Sequence, residues 1–154
     1  MTVLLVRHAR AGRRERWQGD DRLRPLTKRG QAQATALVAL VQPWLGPDPD
    51  LRSSPWVRCV QTLEPLARAV GVAIGVEDIL GEGMGPKALA ALPDWLRETT
   101  VVLCSHGDVI EHVLVGLAES GVEFGSRPRT AKGSVWVLEG AHGMVERVQY
   151  LAPA

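Results

Sequence analysis

Two short apolar runs, residues 2–6 (Thr-Val-Leu-Leu-Val) and residues 101–104 (Val-Val-Leu-Cys), constrain this chain more than any other feature. A strand with one wet face alternates polar and apolar residues, and these runs do not. Both faces of each strand must therefore be covered, which is the signature of interior parallel strands with helices on either side of a sheet. The chain has 154 residues, enough to bury one sizeable core. No linker, internal repeat or low-complexity tract divides it, so residues 1–154 read as a single domain.

The remaining elements follow the same logic. Thr27 can cap a helix carrying Leu37, Val38, Leu40, Val41 and Trp44 as an apolar stripe, ended by Pro43, Gly46, Pro47 and Pro49. Residues 51–53 form a brief strand. Ser54-Pro55 predicts a helix start, a capping hydroxyl with proline at the first helical position, and the helix runs toward Val70 and Gly71. Pro65 is expected to kink that helix or divide it. Residues 72–76 read as a strand, Gly81, Gly83 and Gly85 punctuate a loop, and residues 86–97 read as a helix disturbed by Pro93. After His106 and Gly107, a helix sets Ile110, Val113, Leu114 and Leu117 on one face. Residues 135–138 and 145–151 form a closing hairpin around a turn at 141–143. The expected fold is α/β: a three-layer sandwich with a mostly parallel central sheet, helices on both faces and a C-terminal β-hairpin.

The formal net charge of +1 gives no reason to invoke nucleic acid or a membrane surface as partner. The charge is unevenly spread, however. From Arg7 to Arg29 there are nine Lys and Arg against three acids, Glu15, Asp20 and Asp21. This segment suits an anionic ligand, although a solvated charged loop has the same composition. Cys59 and Cys104 each have apolar neighbours and read as buried free thiols rather than a disulfide framework. No stretch approaches the roughly 20 apolar residues of a membrane span, and the N-terminus lacks the features of a signal peptide, so a cytoplasmic protein is expected.

In open α/β sheets, ligands bind beyond the carboxyl ends of parallel strands. Arg7 and His8 follow the first run, His106 and Gly107 follow the second, and Arg58 lies in the first turns of the helix after residues 51–53. If those strands are neighbours, two imidazoles and two guanidiniums meet on one rim. Each motif alone is unremarkable, a surface dipeptide or a snorkelling arginine, and the joint occurrence is what points to chemistry. A phosphoryl group needs positive, directional donors around its oxygens, and arginine forks and helix N-termini provide them. A neutral imidazole, His8, can then attack phosphorus and split one displacement into two, with His106 as donor to the transferring group. The leaving oxygen needs a proton, for which Glu82 in the glycine-rich loop is the candidate; a plain surface-loop glutamate is the competing reading. A metal fits less well, because two arginines occupy the place a cation would take, and no cofactor is implied. His112 and His142 read as structural or exposed. Arg13 and Arg16 in the basic loop are the candidate substrate-binding side chains, and Trp17 either stacks on substrate or packs on its own domain.

These residues resemble the histidine phosphatase superfamily, with its phosphoglycerate-mutase-like fold. Residues 3–9 (Val-Leu-Leu-Val-Arg-His-Ala) are similar to the family's strand followed by Arg-His-Gly, with Ala9 in place of the glycine. Residues 24–32 resemble its Leu-Thr-x-x-Gly-x-x-Gln-Ala helix start, residues 53–62 its Ser-Ser-Pro-x-x-Arg-x-x-Gln-Thr block, and Ser105-His106-Gly107 its second-histidine motif. The resemblance implies His8 as nucleophile, Arg7, Arg58 and His106 as the phosphate pocket, and Glu82, 24 residues after Arg58, as proton donor. Ala9 and the shortness of the chain resemble the phosphohistidine-phosphatase-like branch and disfavour mutase activity. The Arg-His-Ala-Arg-Ala-Gly start is also similar to histidine-phosphatase domains fused to some actinobacterial Nudix hydrolases. The implied function is metal-independent hydrolysis of phosphomonoesters or phosphohistidine, with a phosphorylated small molecule or a phosphohistidine protein as partner. The alternative is a catalytically weak phosphate-binding or regulatory domain of the same fold.

Overall fold

The structure, a computed structural model, describes residues 1–125 and 128–154. Among these the strands are β1 (Thr2–Arg7), β2 (Asp50–Ser53), β3 (Ile74–Val76), β4 (Val101–Ser105), β5 (Val135–Ala141) and β6 (Met144–Leu151). The α-helices are α1 (Lys28–Val41), α2 (Val57–Val70), α3 (Gly85–Trp95) and α4 (Gly107–Glu119). They build one sheet in the order β3-β2-β4-β1-β5-β6. The first four strands of that order run parallel, and β5 and β6 add an antiparallel hairpin.

The uninterrupted apolar runs are covered on both faces, as their pattern requires. Along β1, Val3 and Leu5 pack with Leu92, Ile110 and Leu114 of α3 and α4, while Leu4 and Val6 pack with Leu37, Leu63 and Leu66 of α1 and α2. In β4 the same alternation sends Val101 and Leu103 one way, Val102 and Cys104 the other, and all five strand residues are buried. The hairpin turns at His142 and Gly143, with φ of 53° and 73°, the double positive φ that matches strand twist in a two-residue turn. Cys59 and Cys104 are free and buried. No helix is long and apolar enough to cross a membrane among the described residues.

Two local expectations are corrected. The second helix begins at Val57 rather than at Pro55: Trp56 is the extended N-cap and makes no side-chain cap. The Ser54 hydroxyl accepts the Trp56 N–H at 3.2 Å one step earlier and also bonds His106, so it links strand end to site instead of capping the helix. Nor does Pro65 divide this helix, which runs unbroken to Val70. Proline removes one N–H and crowds the preceding turn, at a cost of about 3 kcal/mol. Leu63 and Leu66, fully buried on either side of it, hold both turns against the sheet and offset that cost. α3 likewise continues two residues past Pro93 before ending at Trp95.

Candidate active site

Strand register brings the two histidines together. The last paired residues of β1 and β4 are Arg7 and Ser105, so His8 and His106 are the next residue on each strand. The His8 N–H donates to the Ser105 carbonyl at 3.0 Å, and the two imidazole centroids lie 5.5 Å apart, edge to face. β2 lies on the other side of β4, and its continuation Ser54 donates its N–H to the Cys104 carbonyl at 2.9 Å. The Ser54 hydroxyl is then 2.8 Å from His106 Nε2. The Trp56 indole packs edge-on against the His106 ring at 5.1 Å. Buried and held on three sides, His106 has little freedom to turn.

The state of His8 follows from one contact. Its Nδ1 lies 2.8 Å from the Ala9 carbonyl oxygen, which can only accept, so Nδ1 carries the proton and Nε2 carries the lone pair. Burial above all, then the nearby charges of His106, Arg58 and Arg7, pushes the imidazole down to about 3, against the opposing effect of that carbonyl. His8 is a neutral base with its free nitrogen fixed at physiological pH. Ala9 is fully buried, and its N–H donates to Thr62 Oγ1 at 2.9 Å, which anchors the turn after β1 to α2.

Two arginines complete the rim. The Arg7 guanidinium donates through Nη1 to the Thr130 carbonyl, and its Nε, although buried, has no partner. It lies flat against the start of α4, where a Cβ on Gly107 would come within 3.0 Å of its Cζ. Arg58, in the first turn of α2, is wholly buried. It donates through Nη1 to the Asp21 carbonyl at 2.9 Å, and through Nη2 to Asp21 Oδ2 at 3.1 Å and Glu82 Oε1 at 2.7 Å. Arg58 Nε and His106 Nδ1 are also buried without hydrogen bonds. Unpartnered buried donors are rare and costly; those of Arg7 and His106, which line the cleft over the two histidines, suit a ligand that accepts hydrogen bonds, whereas Arg58 is wholly buried and not among the lining residues.

Glu82 belongs to this cluster. Its Oε1 lies 3.5 Å from His106 Nδ1 and accepts from both Arg58 and Arg14, the latter at 2.8 Å. Asp21 is the second acid: it pairs with Arg58, Arg24 and Arg14 at 3.1, 2.9 and 3.5 Å. Partial desolvation opposes ionisation of Asp21, yet the Arg24 hydrogen bond and the charges of Arg58, Arg24 and Arg14 hold its carboxyl below the usual range. The sequence pointed to Asp21 only as a charge in a basic run, to Ser54 only as a helix cap, and to Arg14 and Arg24 only as part of the basic loop; it pointed to no role for Lys132. An acid with arginines one and three positions after it, Arg22 and Arg24, was the available signal for Asp21.

A cleft of about 620 Å³ opens over the histidines. Arg7, His8, Glu82, His106 and Gly107 line it, together with Arg13, Arg14, Arg24 and Lys132. Arg13 is among the lining residues, whereas Arg16 sits exposed on a 3-10 turn (Arg14–Arg16) and is not. Trp17 bonds the Asp20 carbonyl of its own loop at 2.9 Å. His112 lies against Gly85 and His142 in the hairpin turn, both away from the rim. A second cleft of about 630 Å³, between α3, α4 and the hairpin, is walled by Leu89, Leu92, Leu117 and Val145 and has no histidine or cation to work with. Among the described residues no group of His, Cys, Asp and Glu side chains is arranged to hold a metal ion.

Comparison with known proteins agrees with this geometry. Residues 3–86 match the model of the histidine phosphatase superfamily (branch 1). The 8-oxo-(d)GTP phosphatase of Mycolicibacterium smegmatis is 41% identical over 99% of this chain, and the chain spans 48% of that protein. Among solved structures, the protein histidine phosphatase SixA complexed with tungstate superposes with a TM-score of 0.76 at 18% identity, covering 99% of this chain and 95% of that one. Phosphoserine phosphatase from Entamoeba histolytica, in complex with 3-phosphoglyceric acid, gives 0.71 at 17% identity, covering 98% and 96%. At those identities the two structures speak for the fold alone.

Proposed function

The chain belongs to the histidine phosphatase superfamily, and from that premise we propose that it is a phosphohydrolase working through a covalent phosphohistidine on His8. One observation carries the reading: Nδ1 donates to the Ala9 carbonyl, so the unprotonated Nε2 is fixed in a cleft with Arg7 and His106 beside it. Nε2 attacks the phosphorus, the P–N bond forms, and the P–O or P–N bond to the leaving group breaks, taking its electron pair with it. The unpartnered donors Arg7 Nε and His106 Nδ1, whose residues line the cleft, suit the equatorial oxygens, and the buried Arg58 adds positive charge near them. Glu82 delivers the proton to the leaving atom and then takes one from the water that attacks phospho-His8, releasing phosphate and restoring the imidazole. The positive charge comes from side chains, so the reaction runs without a metal. Phosphomonoesters and phosphohistidine both suit this chemistry, the substrate being a phosphorylated small molecule or a phosphohistidine protein.

The test is p-nitrophenyl phosphate hydrolysis with and without chelator, in wild type and His8→Ala, with acid-free quenching for mass analysis. We expect chelator-resistant turnover, a phosphate adduct on His8, and loss of both in the variant. Tight vanadate binding by a folded protein that neither turns over nor forms an adduct would overturn this reading in favour of a phosphate-binding domain.

A further inference from the structure

His106 presents its two ring nitrogens to different surroundings. Nε2 lies 2.8 Å from the Ser54 hydroxyl, and Nδ1, on the Glu82 side, is buried without a hydrogen bond. Ser54 is wholly buried and His106 nearly so, so neither can turn to water. The Ser54 oxygen already accepts the Trp56 N–H at 3.2 Å, and its own proton still needs an acceptor. The Nε2 lone pair is in place to take it. If Nε2 carried the ring proton instead, the Ser54 oxygen would accept twice. Its proton would then be left, sealed from water, with only the Cys59 sulfur beside it, a weak acceptor. Cys59 is the rival partner for the ring, its Sγ 3.5 Å from the same Nε2. Burial opposes ionisation of that thiol, while Cys104, His106 and Ser54 favour it, and a thiolate there would draw the ring proton to Nε2. The shorter contact favours Ser54.

We propose that Ser54 is a positioning residue: its hydroxyl donates to His106 Nε2 and holds the proton of the uncharged ring on Nδ1, where it serves the transferring phosphoryl group. The consequence for turnover rests on the phosphohydrolase reading above. The opposite side of the ring supports the same proton position independently. Glu82 Oε1, an oxygen that accepts from Arg58 and Arg14, lies 3.5 Å from Nδ1, where an N–H attracts it and a lone pair repels it. The two histidines then present opposite chemistry to the cleft. His8, its proton held by the Ala9 carbonyl, offers a bare Nε2 to phosphorus, and His106 offers an N–H to the oxygens. With the His106 proton on Nε2, a lone pair would face oxygens that gain negative charge in the transition state.

Nitrogen NMR of the isotope-labelled free protein reads the ring proton directly, at a pH where His106 is uncharged and with its signals assigned by their loss in His106→Asn. Wild type should show a protonated Nδ1 and a bare Nε2, and a protonated Nε2 overturns the proposal. Ser54→Ala should populate the Nε2–H form, turned toward the Cys59 sulfur. An Nδ1–H retained unchanged in Ser54→Ala also overturns it, whatever happens to the rate. Loss of the Trp56 N–H partner alone would loosen the start of α2 without moving the ring proton. Cys59→Ala should keep the proton on Nδ1 and kcat within about twofold; loss of the Nδ1–H form there would give the role to the thiol instead. With p-nitrophenyl phosphate, Ser54→Ala should lower kcat by about ten- to a hundredfold with KM within about threefold. That is less than removal of a whole oxyanion donor, about 10² to 10³-fold, because the ring stays in place. A moved proton with kcat unchanged would overturn the link to catalysis. Because the spectrum needs no turnover, an inactive wild type counts against the phosphohydrolase reading and not against the proton's position.

Discussion

The rim of the cleft has two halves that look alike in composition and differ in physics. One half comes from strand ends: Arg7 and His8 after β1, His106 after β4. The other is the basic loop of residues 9–25. The loop carries more arginines, yet half of them already have acids: Arg22 with Asp20 at 2.8 Å, Arg24 with Asp21, and Arg14 with Asp21 and with Glu82 from outside the loop. On the strand-end half, Arg7 Nε and His106 Nδ1 are buried without a hydrogen bond, Glu82 Oε1 lying 3.5 Å from the latter. The charge that can meet a ligand is set by which partners a side chain already has, not by the count of basic residues in a segment.

The largest expected effect tests that contrast directly. Arg7→Ala removes a desolvated donor at the reacting group and should lower kcat/KM by about 10² to 10³-fold, mostly in kcat. Arg22→Ala removes an equal charge, exposed and bound to its neighbour Asp20, and should change it by less than about twofold. Comparable losses in the two variants would mean that overall loop charge, not partnering, drives the reaction.

A second test uses pH. The folded imidazole of His8 is lowered to about 3, whereas an unfolded one titrates near 6.5, about. Between those values the unfolded chain binds the extra proton, so the stability tied to neutral His8 is complete above the unfolded value and is lost as pH falls toward the folded one. The His8 ring should therefore stay neutral by NMR from pH 7 to pH 4, about two units further than the unperturbed value allows. Titration of His8 near its ordinary value would break the claim that its lone pair is permanently available.

How the two halves could be read from sequence differs for the same reason. Interior strands leave little freedom: once residues 2–6 and 101–104 are adjacent parallel strands, the residue after each must lie at one sheet edge, and register does the rest. His8, His106 and Arg7 were legible for that reason. Arg58 was placed by the same strand-end pattern and Glu82 stood as a candidate beside a plain loop glutamate, the resemblance adding weight to both; that the two meet depends on how the loop before α3 folds back over the start of α2. Asp21 was not legible as a ligand of Arg58, because pairs 37 residues apart leave no local period. Ser54 was misread for a related reason. A serine before proline has a strong local meaning as a cap, and its actual hydrogen bond to His106 is tertiary.

Asp21 gives the third test, on stability. Losing one partner of a fully buried cation costs about 3–5 kcal/mol in a dry interior. The Asp21 side chain is 30% exposed and Glu82 still faces Arg58, so Asp21→Asn should cost about 1–2 kcal/mol by denaturant midpoint. Its carboxyl is held below the usual range, so the stability it provides is present above the unfolded value and lost as pH falls through the folded one. The variant should therefore lose less stability than wild type on acidification. An unchanged midpoint would mean that Arg58 needs only Glu82 and the Asp21 backbone carbonyl.

The smallest effect sharpens the comparison within the loop itself. Arg13 and Arg16 are three residues apart, both exposed, and equal by charge count, but Arg13 lines the cleft and Arg16 does not. Charge reversal at Arg13 should raise KM severalfold, about three to ten, with kcat held within about twofold, because the side chain contributes to capture rather than to the reacting group. Arg16→Glu, a similar change in long-range field, should raise KM by no more than about twofold at physiological ionic strength, where screening acts over about 8 Å. If both variants raise KM equally, and high salt removes the difference from wild type, the loop steers anions as a diffuse field. If only Arg13→Glu does so and salt leaves the effect in place, the loop contributes one defined contact, consistent with the rule that position and partnering outrank count.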